Sequence, residues 1–465
     1  MWFAVASRRR RFAVVVVGLL AAVGVMGAGR RQPTATAGQP AVKSGFAPGP
    51  SVEVADGLWL FRPAATSLLD PPGPVVVQAL RVDRSRARLA VALADGSTPA
   101  RQPVTEIAKQ QRALAAINAS FFDMATGRQV GLLKVGGQLV ATSGRTRGAV
   151  AWSDGAVLFD RVSVGLALRA AGRGRTFAID HINPVESMSG LSLYTSAYRL
   201  PIHGRRSSPP SVGVGNDARG AADVVTPAPA GVPWARVWRW QLDASNVNLK
   251  VHPTAEGANV RSTAQRPEAP PGVESAWRVT TMLRDTTEPL STAETGSMVL
   301  TYRSRTSTVP RALRGLTEGT SVEIVETYRT TDGTAPSAWE RSTDAVAGAG
   351  LLVREGIAIT EWGVEALRDG FVTERHPRTL IGTDAEGHVW LVTVDGRRPG
   401  VSVGMSFAEL QRLTAALGLV NALNLDGGGS TTMVVDGEIQ NHPTDLAGPR
   451  PVPDAIVVLP RTGAR

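Results

Sequence analysis

The residues best suited to chemistry are an aspartate, three consecutive glycines and two hydroxyl side chains near the end of the chain. Asp426 closes an alternating apolar stretch, and these residues follow it: Gly427, Gly428, Gly429, Ser430 and Thr431. Glycine has no Cβ, so another backbone or a ligand can approach it closely. Backbone N–H groups beside a carboxylate predict an anion site. We therefore expect the glycine amides and the two hydroxyls to bind substrate, with Asp426 as base or nucleophile.

Other polar residues stand at the ends of predicted strands. Asp395 follows one strand, Arg378 precedes another, and Asn118 and Asn424 each end an apolar run. Arg397 adds a fork-shaped donor that suits phosphate or carboxylate. We expect Asp395 to be a second base or nucleophile and the arginines to bind phosphate. The two asparagines would orient sugar hydroxyls or water.

The sequence excludes a nucleotide-binding phosphate loop and a nucleophile elbow, and it leaves a metal site open. The triglycine loop lacks the lysine of a nucleotide-binding phosphate loop, and the chain has no Gly-x-Ser-x-Gly elbow. The six histidines have no metal-ligand spacing, so the sequence predicts no cofactor and leaves the metal unknown. A divalent cation between an aspartate and phosphate stays open. The alternative for the loop is an ordinary turn, and for each arginine a solvated surface position.

The elements that would carry these residues are mostly strands and tight turns. Gly136-Gly137, Asp154-Gly155 and Asp436-Gly437 predict hairpins. Ser406 with Glu409 predicts the capping box of a helix that reaches Leu417. Many hairpins and few helices favour an α+β fold with a mixed, largely antiparallel sheet.

Composition limits the class of protein. The chain has 465 residues, 43% of them hydrophobic, so it can bury a large core. It has no cysteine, which excludes disulfides and thiolate metal sites. The net charge is +10, and Arg8–Arg11 supply part of it. Because the remaining charge is spread along the chain, nucleic-acid binding is not expected.

The chain divides into a leader, a tether and one main domain. Residues 1–28 combine arginines with an apolar run and predict an export signal, with an uncleaved membrane anchor as the alternative. Residues 29–51 read as a flexible tether. Residues 52–459 form the domain, and a Pro-rich variable insertion interrupts it at about 201–275. We expect a secreted or cell-envelope protein that contacts membrane only through an uncleaved first segment.

Five motifs occur in one order along the domain: Asn118-Ala-Ser-Phe-Phe-Asp123, His376-Pro-Arg-Thr-Leu-Ile-Gly382, Val394-Asp-Gly-Arg397, Asn424-Leu-Asp-Gly-Gly-Gly-Ser-Thr-Thr432 and Arg450-Pro-Val452. As an ordered set they resemble the phosphodiester glycosidase family over about residues 52–459. The family often has Asn-Gly-Gly-Phe-Phe where this chain has Asn118-Ala-Ser-Phe-Phe. This departure bears on which sugar is recognised more than on the reaction class.

The resemblance implies an exported hydrolase that cleaves the sugar C–O bond of a sugar 1-phosphodiester in a cell-envelope or extracellular glycan. Such a site must hold phosphate, support an oxocarbenium-like transition state and deliver water or a nucleophile. The separation of the two carboxylates would decide between inversion and retention. Two alternatives remain: a non-catalytic glycan-binding protein of the cell envelope, and a basic surface protein attached to anionic polymers by charge alone.

Overall fold

The computed structural model describes residues 49–142, 144–170, 176–186, 188–200, 236–244, 276–284, 297–306, 308–311 and 313–461. The predicted export signal and nearly all of the predicted tether lie outside these residues, as does most of the predicted insertion. Within that insertion, residues 236–244 form a strand. Among the described residues, no helix has the length and apolar character needed to cross a bilayer.

The described chain is built mainly from short strands. Its α-helices are α1 (Val104–Gln111), α2 (Pro336–Glu340), α3 (Asp369–Thr373) and α4 (Phe407–Ala416). Its first strands are β1 (Ser51–Ala55), β2 (Leu58–Phe61), β3 (Val77–Val82), β4 (Ala87–Leu93), β5 (Ala115–Asn118), β6 (Phe121–Phe122), β7 (Gln129–Val130), β8 (Leu133–Val135), β9 (Gln138–Ala141), β10 (Arg147–Trp152), β11 (Val157–Ala170), β12 (Thr176–Ile179), β13 (His181–Ile182) and β14 (Gly190–Tyr194). The remaining strands are β15 (Arg236–Ala244), β16 (Ala276–Arg284), β17 (Ser297–Ser304), β18 (Ser321–Thr330), β19 (Asp344–Ala347), β20 (Leu351–Arg354), β21 (Ile357–Ala358), β22 (Arg378–Asp384), β23 (Val389–Val394), β24 (Leu419–Asn424), β25 (Met433–Val435), β26 (Glu438–Ile439) and β27 (Asp454–Pro460).

These strands form three larger sheets and one small hairpin. The first sheet has the order β1-β2-β3-β23-β22-β24-β20-β21, and the second has β26-β25-β5-β27-β4. The third runs β13-β14-β17-β15-β16-β18-β11-β10-β19-β8-β9, with β12 beside β11. Among the described strand pairs, β13 with β14 is parallel and the others are antiparallel. The expectation of an α+β fold with largely antiparallel sheet is confirmed.

The first and second sheets share a core, and each is covered on its outer face by a helix. Leu80 and Leu391 of the first sheet pack in one cluster with Ile117 and Ile456 of the second. On the other side of the first sheet, alternate strand residues pack against α4. On the other side of the second sheet they pack against α1. Strands buried on both faces explain why these segments read as continuous apolar runs.

The local signals predicted from sequence are present. Ser406 accepts from the Glu409 N–H at 3.4 Å, and the Glu409 carboxylate accepts from the Ser406 N–H at 2.9 Å, so the capping box forms. Asp436 and Gly437 both have positive φ between β25 and β26. The predicted turns at 136–137 and 154–155 also join paired strands. Positive φ at both turn residues, as this type of hairpin turn requires, is present at 136–137 and at 436–437 but not at 154–155.

A buried carboxylate links the first sheet to the third. Glu365 is 1% exposed, and its Oε2 accepts from the N–H groups of Gly148 at 2.7 Å and Gly350 at 2.9 Å. Its Oε1 accepts from the Leu351 N–H at 3.0 Å. Gly148 belongs to β10 and Leu351 begins β20, so one side chain satisfies backbone donors from both sheets.

Replacing this carboxylate by an amide should destabilise the domain. In Glu365→Gln, one oxygen remains to accept, and the amide nitrogen faces at least one backbone N–H. We expect the free energy of unfolding to fall by roughly 1–3 kcal/mol for a buried donor left without a partner. Denaturant unfolding measures this loss. The control is Glu355→Gln, whose carboxylate is on the surface, and equal stability of the two variants would contradict the role given to Glu365.

Candidate active site

Strand ends from the first and second sheets meet at one end of the domain. β22 lies between β23 and β24 and is antiparallel to both, so its start at Arg378 is beside their last residues. In the second sheet, Asn118 ends β5 and pairs with Ala455 near the start of β27. The predicted site residues on these strands are thereby brought to one end of the two packed sheets.

Asn118 joins the two sheets at this end. It is 0% exposed, and its Nδ2 donates to the Asp426 carbonyl at 2.7 Å. Its Oδ1 accepts from the Thr379 hydroxyl at 2.9 Å and from the Thr432 N–H at 3.1 Å. These bonds hold the loop that carries Asp426. The structure therefore favours a positioning role for Asn118 over the sugar-orienting role expected from sequence.

Asp426 is fixed through its backbone, and the residue as a whole is half-buried. Its N–H donates to the Ala119 carbonyl at 3.1 Å, and Oδ1 accepts from the Gly427 N–H at 3.0 Å. Burial raises the pKa of Asp426 to about 7, although nearby Ser430 and Arg450 act in the opposite direction. A carboxyl with such a pKa can take up and release a proton near neutral pH.

The three glycines are required for three different packing reasons. A Cβ on Gly427 would lie 2.6 Å from the Pro377 carbonyl oxygen, and Gly428 has a φ of +61°. A Cβ on Gly429 would collide with the guanidinium of Arg450 and the carboxylate of Asp445. The expectation that all three amides bind phosphate is not supported, because two already have partners. Gly427 donates to Asp426, and Gly428 donates to Pro377 at 2.9 Å.

Several buried polar atoms of the loop and of the strand before it have no partner among the described residues. They are the hydroxyl oxygens of Ser430, Thr431 and Thr432 and the Oδ1 of Asn424. The Nδ2 of Asn424 donates to the carbonyls of Ala349 at 2.9 Å and Leu425 at 3.0 Å. Buried polar atoms are usually hydrogen-bonded, so these oxygens are suited to bind water or substrate hydroxyls.

The predicted phosphate ligand Arg378 is instead part of the scaffold. It is 1% exposed, and its guanidinium donates to the carbonyls of Met405 at 2.9 Å, Phe371 at 2.8 Å and Glu374 at 3.0 Å. It also stacks on the rings of Phe371 and Phe407. Burial and the neighbouring Arg397 lower its pKa to about 9. With its hydrogen bonds directed at the backbone, Arg378 is poorly placed to bind a ligand.

Arg397, in contrast, is exposed beside the glycine loop. A Cβ on Gly428 would lie 3.4 Å from both of its terminal nitrogens, so the guanidinium covers this glycine. Its Nη2 is 3.4 Å from Nδ1 of His376. Burial, followed by the charges of Arg378 and Arg397, lowers the pKa of His376, which favours the neutral imidazole. Arg397 therefore keeps the geometry expected of an anion ligand.

A second guanidinium lies over the next glycine. Arg450 donates to Asp445 through two parallel bonds, Nε to Oδ2 at 2.7 Å and Nη2 to Oδ1 at 3.0 Å. Its charge also lowers the pKa of Asp426. The sequence placed Arg450 in a motif without giving it a role, and the structure places it beside the candidate acid.

Asp395 is buried and holds a histidine. It is 1% exposed, and its Oδ2 lies 2.9 Å from Nδ1 of His442. Its Oδ1 accepts from the His442 N–H at 3.0 Å and from Nδ2 of Asn441 at 3.2 Å. The His442 side chain is 53% exposed. Because a carboxylate that binds Nδ1–H leaves Nε2 as a proton acceptor, the pair can act as an oriented base.

Asn441 ties this pair to the glycine loop. Its Nδ2 also donates to the Thr431 carbonyl at 2.9 Å, and its Oδ1 accepts from the Met433 N–H at 2.8 Å. Sequence reasoning missed His442 because the histidines were tested only for metal-ligand spacing, and it gave Asn441 no role. The usable signal was an Asn-His-Pro segment one residue after the short β26 strand.

A group that could hold a cation lies at the other end of β22. Ligand atoms of Asp384, Glu386 and His388 are within 4.8 Å of one another. Asp384 already accepts from the Trp390 indole at 2.8 Å and from the His388 N–H at 2.9 Å, which closes the β22–β23 hairpin. These bonds account for the cluster, and it lies far along the strand from Asp426. The expectation of no cofactor remains a prediction.

Comparison with known proteins finds partial matches to one family. Over 75 residues the chain is 37% identical to mouse N-acetylglucosamine-1-phosphodiester alpha-N-acetylglucosaminidase, a match that spans 16% of this chain and 14% of the mouse protein. A solved structure from Synechocystis has a TM-score of 0.62 at 19% identity, over 88% of this chain and 63% of that one.

A second solved structure, from Burkholderia pseudomallei, has a TM-score of 0.58 at 22% identity, over 84% of this chain and 74% of that one. These two likenesses concern the fold alone. The family model of phosphodiester glycosidases matches residues 279–459. This range contains every predicted site residue except Asn118, and the match confirms the resemblance to the phosphodiester glycosidase family that the ordered motifs predicted.

Proposed function

We propose that the protein is a hydrolase that cleaves the sugar C–O bond of a sugar 1-phosphodiester. The observation that carries the proposal is the half-buried Asp426, whose carboxyl has its pKa raised to about 7 beside two guanidinium groups. Arg397 and Arg450 cover successive glycines of the loop that follows this acid. A carboxyl that titrates near neutral pH, placed beside positive charge, suits a substrate whose anomeric carbon bears phosphate.

In the proposed reaction a water oxygen bonds to the anomeric carbon while the carbon–oxygen bond to phosphate breaks. The electron pair of that bond stays on the phosphate oxygen, and the proton of the water passes to Asp426. The products are a free sugar and a phosphomonoester. Because the phosphate is a good leaving group, the site has more need of a base and of positive charge than of a strong acid.

Arg397 would bind the phosphate oxygens and stabilise the charge that develops there. Arg450 uses its Nε and Nη2 to bind Asp445, so it would contribute through its remaining nitrogen, Nη1. The Thr431 hydroxyl and the Oδ1 of Asn424, which have no partner among the described residues, would bind sugar hydroxyls or the attacking water. The Ser430 hydroxyl lies near Asp426 and would bind substrate or water beside that acid. The proposal reassigns Asp395, which was expected to act as base or nucleophile. It orients His442, and the Nε2 of His442 is the second group able to accept a proton.

The natural substrate and location are further parts of the proposal. The name of the mouse relative specifies an N-acetylglucosamine-1-phosphodiester, which makes that linkage the first to test. Residues 1–28 support export. We propose a phosphate-linked glycan of the cell envelope as the substrate. The alternative is a glycan-binding protein without turnover.

The bond that breaks can be identified with isotope-labelled water. Hydrolysis of an N-acetylglucosamine 1-phosphodiester in H₂¹⁸O should place the label in the sugar, because water attacks carbon. Mass spectrometry of both products measures its position. Label in the phosphate would mean P–O cleavage and a phosphodiesterase. Binding without product across a panel of sugar 1-phosphodiesters would favour the non-catalytic alternative.

Asp426→Asn, which removes the proposed base, should lose roughly 10²- to 10⁴-fold in kcat.

The pH dependence follows from the raised pKa of Asp426. A base acts in its ionised form, so kcat/KM should rise with pH through about 7 and level off above it. An aspartate at the usual 3.8 would give a rise near pH 4 instead. Initial rates from pH 4 to 9 distinguish the two. A flat profile between pH 5 and 8 would exclude Asp426 as the base.

Asp395 and His442 should behave as one unit. Asp395→Asn and His442→Gln should each lower kcat/KM by roughly a hundredfold. If Asp395 acts by orienting His442, the double variant should lose no more than the worse single variant. The matched control is His388→Gln, which removes a histidine held by Asp384 at the other end of β22. Independent, additive losses would show that Asp395 has a separate role.

A further inference from the structure

A second buried acid is held by the same short segment as the candidate base. Asp454 is the first residue of β27 and is 0% exposed. Both of its carboxylate oxygens accept from a single residue, because Oδ1 accepts from the Ser120 N–H at 2.8 Å and Oδ2 accepts from the Ser120 hydroxyl. No role has been assigned to either residue in the reaction described above.

The end of β5 holds Asp454 and Asp426 together. Asn118 pairs with Ala455 in the sheet, which places Asp454 next to residues 119–120. On the same short segment, Asn118 binds the Asp426 carbonyl and Ala119 accepts the Asp426 N–H. Three consecutive residues thus fix two acids, one partly exposed and one wholly buried.

We propose that Asp454, held by Ser120, is a positioning residue for Asp426, and that its buried negative charge keeps a proton on Asp426 that an isolated carboxyl would release. Two carboxylates near each other disfavour joint ionisation, and the effect is strong where water is excluded. The Ser120 hydrogen bonds favour the ionised form of Asp454. The catalytic consequence rests on the proposed function, whereas the interaction between the two acids does not.

Other groups around the two acids also affect whether each acid is protonated or ionised. Asp426 faces the charge of Arg450, the Gly427 N–H and nearby Ser430, all of which favour its ionised form. Asp454 opposes them, and burial adds the largest contribution in the same direction as Asp454. Asp454 itself faces Ser120 and the side chain of Gln129, and burial raises its pKa to about 6. At neutral pH Asp454 is therefore mostly ionised.

This arrangement predicts in which direction each substitution shifts the pH at which Asp426 loses its proton. Asp454→Asn keeps the shape and removes the charge, so Asp426 should lose its proton at a lower pH. Ser120→Ala removes one donor to Asp454 and raises the pH at which Asp454 ionises. Ser120→Ala should therefore also lower the pH at which Asp426 loses its proton, by a smaller amount. The matched control is Ser342→Ala, since Ser342 is also a buried serine but donates to the Trp339 carbonyl at 2.7 Å.

The experiment is a ¹³C NMR titration of the full chain with labelled aspartate carboxyls. The Asp426 signal is assigned by its loss in Asp426→Asn, and circular dichroism establishes that each variant is folded. We expect the Asp426 midpoint to fall by at least about 0.5 pH units in Asp454→Asn. A smaller fall is expected in Ser120→Ala and none in Ser342→Ala. The rise in kcat/KM should move to lower pH by the same amount.

The outcomes separate this inference from the proposed function. An unchanged Asp426 midpoint in folded Asp454→Asn would overturn the inference, even if the protein hydrolyses sugar 1-phosphodiesters. A shifted midpoint in a protein that hydrolyses none of them would support the inference and contradict the proposed reaction. If Asp454→Asn does not fold, Ser120→Ala decides the question alone, and an unchanged midpoint in that variant would overturn it.

Discussion

The candidate site depends on one side chain, Asn118, which is shared between two sheets. Its amide binds the Asp426 carbonyl and the Thr432 N–H on one side and the Thr379 hydroxyl on the other. An asparagine can do this because its side chain both donates and accepts. No single hydrophobic contact could fix the direction of the loop so closely, since apolar packing has little directionality. The carboxyl of Asp426 is oriented because the backbone that carries it is bound on both sides.

Much of the fold could be predicted from local sequence. The capping box at Ser406, the Asp436-Gly437 turn and the strand that ends at Asn424 all depend on short-range chemistry, and all are present. That the polar ends of these strands come together could also be predicted from the sequence, because polar residues that follow buried strands have few other places to lie. How the strands are divided among three larger sheets could not be predicted, since it depends on pairings between residues that are distant in the chain.

The roles of individual residues were harder to predict than their positions. Residue type alone does not distinguish an arginine that binds a ligand from one that binds carbonyls. Arg378 and Arg397 look equivalent in sequence, yet the first is enclosed by Phe371 and Phe407 and the second is exposed. The glycines were interpreted as open anion ligands, whereas most of their constraint comes from neighbours such as Pro377 and Arg450. His442 was missed because its partner, Asp395, is 47 residues away in the chain.

The pairing of β27 with β4 and β5 has a consequence for folding. The candidate site takes Asn118 from β5 and Asp454 from β27, so it cannot exist until these two strands, which are far apart in the chain, have met. Closing so long a loop is slow, because its entropy must be lost before the contacts that reward it can form. The site should therefore be assembled late, after the hairpins of the first and third sheets. A fragment restricted to residues 279–459 would contain Asp426 but none of the strand that orients it.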